Sequence, residues 1–187
     1  MRSTTLALIV TCLAGCATLT QDSLDQRFGA ADPTRFDHAP VVATGAVSYR
    51  DDVRPILENR CVVCHGCYDA PCQLKLGAWE GIARGASKVP VYDAARLLEA
   101  PTTRLFIDAQ QPSQWRKKSF FPVLNERTVS PENNLAASVL YRSIALKKAH
   151  PLPEAKVLSD AFDVSLGRSQ SCPNLVEYDA YERDHPL

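Results

Sequence analysis

The chain has 187 residues, 45% of them hydrophobic, and Lys plus Arg balance Asp plus Glu at 21 each. That length supports one buried core, and the charge balance leaves no global field to draw in nucleic acid or an anionic surface, so no nucleic-acid partner is expected. Recognition must come from a local site.

The first fifteen residues, MRSTTLALIVTCLAG, carry one positive charge, an apolar run from Leu6 to Leu13 and then small residues. This is the build of an export signal peptide (residues 1–15), too short for a stable membrane span. Leu13-Ala14-Gly15-Cys16 has the form of a bacterial lipobox, which makes Cys16 the lipid-modified first residue of the mature chain; an ordinary cleaved signal followed by an unmodified Cys is the other reading. Ala17 fits sorting to the outer membrane. The expected location is thus the periplasm, with peripheral membrane association through the anchor. That compartment oxidises thiol pairs and is also where c-type haem is attached.

Residues 16–47 mix Ala, Thr, Asp and Pro without periodicity and read as a lipid-anchored flexible tether spanning roughly 30 Å, with the folded domain running over 48–187. From Ser48, the stretch SYRDDVRPILENRC places Val53, Ile56, Leu57 and Cys61 at helical spacing. Ser48 and Asp51 suit a capped start, while Pro55 suits the first turn of a helix whose regular part begins near Arg54. A short helix is expected around Ala78 to Ala83 and a strand at RLFID, residues 104–108. One long helix is expected from Ser130, with Pro131 at its first position, to a stop at Pro151, burying Leu135, Val139, Leu140, Ser143 and Leu146.

Four of the seven cysteines fall in RCVVCHGCYDAPCQLKL, residues 60–76. Cys61, Cys64 and His65 form Cys-x-x-Cys-His, the attachment pattern of a c-type haem. Two thiols about one helical turn apart can form thioethers to the two vinyl groups, and the adjacent His swings beneath the iron as proximal ligand. A thioredoxin-like pair wants a strand before it, and a zinc site wants a second, regularly spaced ligand pair; neither pattern is present. Cys67 and Cys72 are candidates for a small disulfide closing CYDAPC, with Cys172 able to pair with either or to stay a buried thiol. The only Met is the initiator, so the sixth iron position falls to His38, His150 or His185, to a ligand beyond residue 187, or to none. The fold expected is mainly α, cytochrome c-like around the haem, with short strands and irregular segments.

The run CVVCHGCYDAPCQLKL, followed by GIARGASKVPVYD, PTTRLFIDA, FFPVLNE, HPLP and SCPNLVEY, resembles the N-terminal region of the bacterial fatty acid cis/trans isomerases, haem-containing periplasmic enzymes of Gram-negative bacteria. The resemblance covers nearly everything after the tether. It implies conversion of cis double bonds in membrane phospholipid acyl chains to trans as a stress response, with covalent haem c on Cys61 and Cys64 and His65 on the iron; it assigns no other catalytic residue. Family members are several-fold longer, so the resemblance also implies that these 187 residues are an N-terminal piece of a longer isomerase.

Rotation about a cis alkene requires its π bond to be weakened, which withdrawal of electron density toward a ferric haem would achieve, the electron returning after rotation. A thiyl radical on Cys67, Cys72 or Cys172 is the alternative chemistry. WRKKSFF, residues 115–121, has the mixture of aromatics and cations found at lipid interfaces, although Phe120 and Phe121 in a core with solvated cations is the plainer reading. A periplasmic electron-transfer cytochrome c is the alternative function, since the haem motif alone serves either role.

Overall fold

The computed structural model describes residues 21–38, 45–67, 69–93, 96–101, 103–151, 154, 157 and 171–184. The expected signal peptide, Cys16 and His185 lie outside them. Helix α1 occupies residues 21–28, and a single π-helical turn, Tyr49–Val53, leads into α2, Arg54–Arg60, then α3, Val62–His65. A 3-10 turn, Pro71–Gln73, and α4, Trp79–Arg84, follow; then come β1, Ala86–Ser87, β2, Tyr92–Asp93, and β3, Arg96–Leu97. Helix α5, Pro112–Lys117, β4, Phe120–Phe121, α6, Pro131–Ala136, α7, Val139–Ala149, and α8, Tyr178–Asp184, complete a helix-rich fold with short strands and irregular segments. None of the described helices is long and apolar enough to cross a membrane.

Ser48 caps the π-helical turn, its Oγ accepting from Asp51 N at 3.2 Å, and Pro55 sits in the first turn of α2. The helix expected from Ser130 starts there, with Ser130 Oγ accepting from Asn133 N at 3.0 Å, but it breaks at Ala137 and Ser138. Ser138 is responsible: its hydroxyl accepts from Tyr141 N at 3.1 Å, starting a new helix, and donates to Val123 O at 3.0 Å. Such local side-chain bonds compete with helical continuity. The break turns Leu135 out to solvent while Val139 and Leu146 stay buried.

The strand expected at residues 104–108 is a turn instead. Asp108 accepts from Arg104 N and pairs with its guanidinium at 3.1 Å, closing the segment on itself, and Leu105 bridges Ala109. Phe106 takes φ 66° at its tip.

Folded structure also begins well before Ser48. Residues 28–32 run beside 126–128, with Thr128 N donating to Phe28 O at 3.0 Å and Asp32 N to Glu126 O at 2.7 Å. The buried Arg127 guanidinium pairs with Asp25 and donates to Gly29 O. Farther on, Ser113 N donates to Asp37 at 2.9 Å and Phe36 meets Trp79 edge-on. Residues 21–38, read from the sequence as tether, therefore use their polar groups as backbone and ion-pair partners of the body, a pairing that leaves no periodic trace.

The main core gathers Leu57, Leu76, Ile82, Ala86 and Val123, with Val62, Phe121 and Leu140 packed on it. β1 pairs antiparallel with β4, Ala86 opposite Phe121. Gly85 makes that pairing feasible: it has φ +85°, and a Cβ there would stand 2.1 Å from Phe121 O. Beside it Trp115 and Phe120 form a second cluster with Ala109, and the fully buried Arg84 guanidinium lies over both rings.

Candidate functional site

Helix α2 carries its hydrogen bonding across the break before α3: Cys61 N donates to Leu57 O at 2.8 Å and His65 N to Cys61 O at 3.0 Å. Cys61 and Cys64 consequently sit one turn apart, with His65 at the helix end. The chain then folds back on that end twice. Leu76 N donates to His65 O at 2.8 Å, and the His65 Nδ1 lies 2.9 Å from Leu74 O. A carbonyl only accepts, so the proton belongs on Nδ1 and the Nε2 lone pair is left to serve as a ligand.

All three motif side chains border one cavity of about 470 Å3. The face of α7 formed by Val139, Leu140, Ser143, Ile144 and Lys147 lines it as well, as do Leu76, Phe121 and Val123 from the core. Its walls are largely apolar, and Arg60 and Lys147 supply cations on its border. The α7 wall was not identified in the sequence as part of a site; the only signal was the helical recurrence of 140, 143, 144 and 147, which core packing explains equally well.

The disulfide differs from the one expected. Cys72 bonds Cys172, with a Cα separation of 5.6 Å, whereas Cys67 is a free, exposed thiol. Its effect is to hold residues 171–173 on the border of the same cavity. Positive φ at Cys72 and Gln73, 55° and 49°, reverses the chain there. Buried Gln73 is anchored through its carbonyl, which accepts from Arg84, while Arg84 also donates to Thr103 O at 2.6 Å. Leu74, whose carbonyl accepts from His65 Nδ1, is thus fixed from its N-terminal side by a cross-link and a buried guanidinium. Of the three thiols considered for radical chemistry, Cys72 and Cys172 are joined, and Cys67 does not border the cavity.

Of the histidines considered for a sixth ligand, His38 borders a different cavity with Phe36 and Trp79, and His150 is the exposed C-cap of α7. Neither is brought to His65. Among the described residues no three His, Cys, Asp or Glu side chains gather as a separate metal site. The lipid-interface reading of residues 115–121 gives way to the core reading, because Trp115 and Phe120 are buried against Arg84 while Lys117 and Lys118 are exposed.

Behind Phe121 lies a smaller cavity of about 240 Å3. Arg116 and Glu126 meet at its border: the guanidinium spans both carboxylate oxygens and donates to Ala83 O at 3.0 Å. Burial pushes the Glu126 carboxyl above the usual glutamate range, more than Arg116 pulls it back.

The fold and site together define a small helix-rich protein organised around an apolar cavity that holds two thiols and an imidazole on its border. The fatty acid cis/trans isomerase family model matches residues 100–187, so the resemblance carried by the motifs holds over that part of the chain. Comparison with curated proteins and with solved structures gave no significant match.

Proposed function

We propose that this chain is the haem-bearing region of a fatty acid cis/trans isomerase acting on unsaturated acyl chains of membrane phospholipids. The supporting observation is the placing of Cys61, Cys64 and His65 on one apolar cavity with the His65 Nδ1 turned to Leu74 O. Those residues fit a c-type haem: two thiols one turn apart for thioethers, and an Nε2 lone pair left to take the iron. Haem bound there supplies reversible one-electron withdrawal from a double bond. The protein's part is different. His65 is held in one tautomer by Leu74 O, the largely apolar walls match a hydrophobic macrocycle, and Arg60 and Lys147 are placed to pair with carboxylate groups at the border. Around the haem the fold is then cytochrome c-like in role, and the expected lipid anchor at Cys16 would keep the domain beside its substrate in the periplasm.

The surface position of Cys64, next to Val63 at 89% exposure, favours a second reading, an electron-transfer cytochrome c that offers a haem edge to a periplasmic partner.

The trans-to-cis ratio of membrane fatty acids, measured by gas chromatography in a host lacking this activity, separates the two. Expression of the chain, and of any longer reading frame containing it, beside a Cys64→Ala control should raise trans acids only where the motif is intact. Covalent haem without trans acids from either length would redirect the assignment to electron transfer, and absence of covalent haem would overturn both.

A further inference from the structure

The two cavities on either side of Phe121 differ in what they can hold. The larger one carries the thiols and the imidazole. The smaller has no thiol and no imidazole on its border; Leu24, Pro33, Leu124 and Leu175 give it an apolar wall, and the charges of Arg116 and Arg127 are already committed to Glu126 and Asp25. A ligand entering it therefore meets mainly hydrocarbon rather than an open anion site. Two features put the cavities back to back. Phe121 borders both, and one stretch of chain passes from one to the other, with Ser171, Cys172 and Pro173 on the larger and Asn174, Leu175 and Val176 on the smaller. The Cys72–Cys172 bond fixes that stretch. Most of the smaller cavity's wall also falls inside residues 100–187, the segment that matches the isomerase family, whereas the Cys-x-x-Cys-His motif falls outside it.

We propose that the smaller cavity is the binding site for the unsaturated acyl chain, with Phe121 as the partition between the bound hydrocarbon and the cavity of His65. This rests on the isomerase reading for the identity of its occupant. An acyl chain fits by chemistry: an apolar ligand gains by leaving water for an apolar wall, and no unpaired charge has to be buried with it. Phe121, fixed by its β1 partner, then acts as a positioning residue that sets how closely the chain approaches the larger cavity.

The test uses cis-parinaric acid, whose emission rises in apolar surroundings, with palmitoleic acid as competitor, on the whole chain both with its motif intact and as Cys61→Ala/Cys64→Ala. Leu175→Trp and Ala137→Phe fill the smaller cavity, and Ile144→Trp fills the larger. The expected result is that each smaller-cavity variant weakens probe binding by about tenfold or more, that Ile144→Trp leaves it within about twofold, and that the double Cys→Ala chain still binds. Unchanged binding in whichever of Leu175→Trp and Ala137→Phe keeps its folded circular-dichroism spectrum would overturn the site, as would a loss confined to Ile144→Trp. Failure of the isomerase reading is a separate outcome, seen as absence of trans acids from a chain that still binds the probe.

Discussion

His65 and Leu74 are nine residues apart and meet through a 2.9 Å contact between the ring Nδ1 and the backbone carbonyl. That carbonyl is two residues beyond Cys72, whose bond to Cys172 spans a sequence separation of 100. The imidazole orientation is therefore tied to a cross-link between the segment just after the motif and the segment that leads into α8.

Breaking that cross-link should cost stability and loosen the ring together. A closed loop of this length is worth up to ~4.7 kcal/mol in the chain-entropy account, so Cys72→Ser/Cys172→Ser should lose about 2–5 kcal/mol. Urea denaturation with and without a dithiol reductant checks it: the native chain should fall toward the double variant when reduced, and the variant should not respond. Equal midpoints under both conditions would show that the bond contributes nothing to folding.

Gly85 offers a second handle, on the β1–β4 pairing. A Cβ at φ +85° would stand 2.1 Å from Phe121 O, too close for the strands to remain paired. At φ 85° and ψ −158° the backbone lies in a region essentially reserved for glycine, which costs another residue about 1–3 kcal/mol, and separating the strands adds the loss of their hydrogen bonds. Gly85→Ala should lower stability by about 3 kcal/mol, seen as a lower thermal midpoint. Because Phe121 borders both cavities, probe binding should weaken in the same variant even where it remains folded. An unaltered midpoint would mean that the strand pair contributes little.

How much of this was legible follows from where the information sits. Ser48, Pro55, Ser130 and Pro131 act on their own neighbours, so their caps and turns could be read directly. Ser138 could not be, since its choice between helix interior and cap depends on Val123 O, a partner outside the helix. For the same reason RLFID failed as a strand: its short apolar run suggested one, but among the described residues no second strand pairs with it and Arg104 closes on Asp108 instead. The thiol cluster gave the motif but not the pairing, because the Cys172 that reaches Cys72 is brought there only by the packing of the C-terminal segment. Cys67, nearer in sequence, stays free. Residues 21–38 lacked any periodic signal, as their role is to satisfy Arg127 and a neighbouring backbone segment.

Arg84 is a buried cation whose partners are carbonyls of Gln73 and Thr103 and the faces of Trp115 and Phe120. Arg84→Met would match its volume but strand both carbonyls, at about 1–3 kcal/mol for each buried group left unmade. We expect a loss of about 3 kcal/mol, which for a domain of this size lowers Tm by roughly 6–12 °C. Arg84→Lys should recover only part of it, since an ammonium cannot reproduce the planar fork or the stacking. Full recovery by Lys would reduce the role of Arg84 to its charge.

Glu126 supplies the pH test. Its carboxyl is driven above the ordinary glutamate value of 4.5 mainly by burial, with Arg116 acting in the opposite direction. A native pKa above the unfolded one means that the folded chain holds this proton more tightly. The contribution is therefore fully present below the unfolded value and is lost as pH rises through the native one. Glu126→Gln removes the titration and keeps an oxygen to accept from Arg116. The difference in stability between wild type and Glu126→Gln should consequently move in favour of the Gln variant as pH rises from 4.5 and level off above the native pKa, as read by urea midpoints across that range. A difference moving the other way would mean that the Arg116 pair outweighs burial and holds the native carboxyl below its unfolded value. The sign of one slope thus decides whether the pair beside the smaller cavity stabilises the charged carboxylate or merely tolerates it.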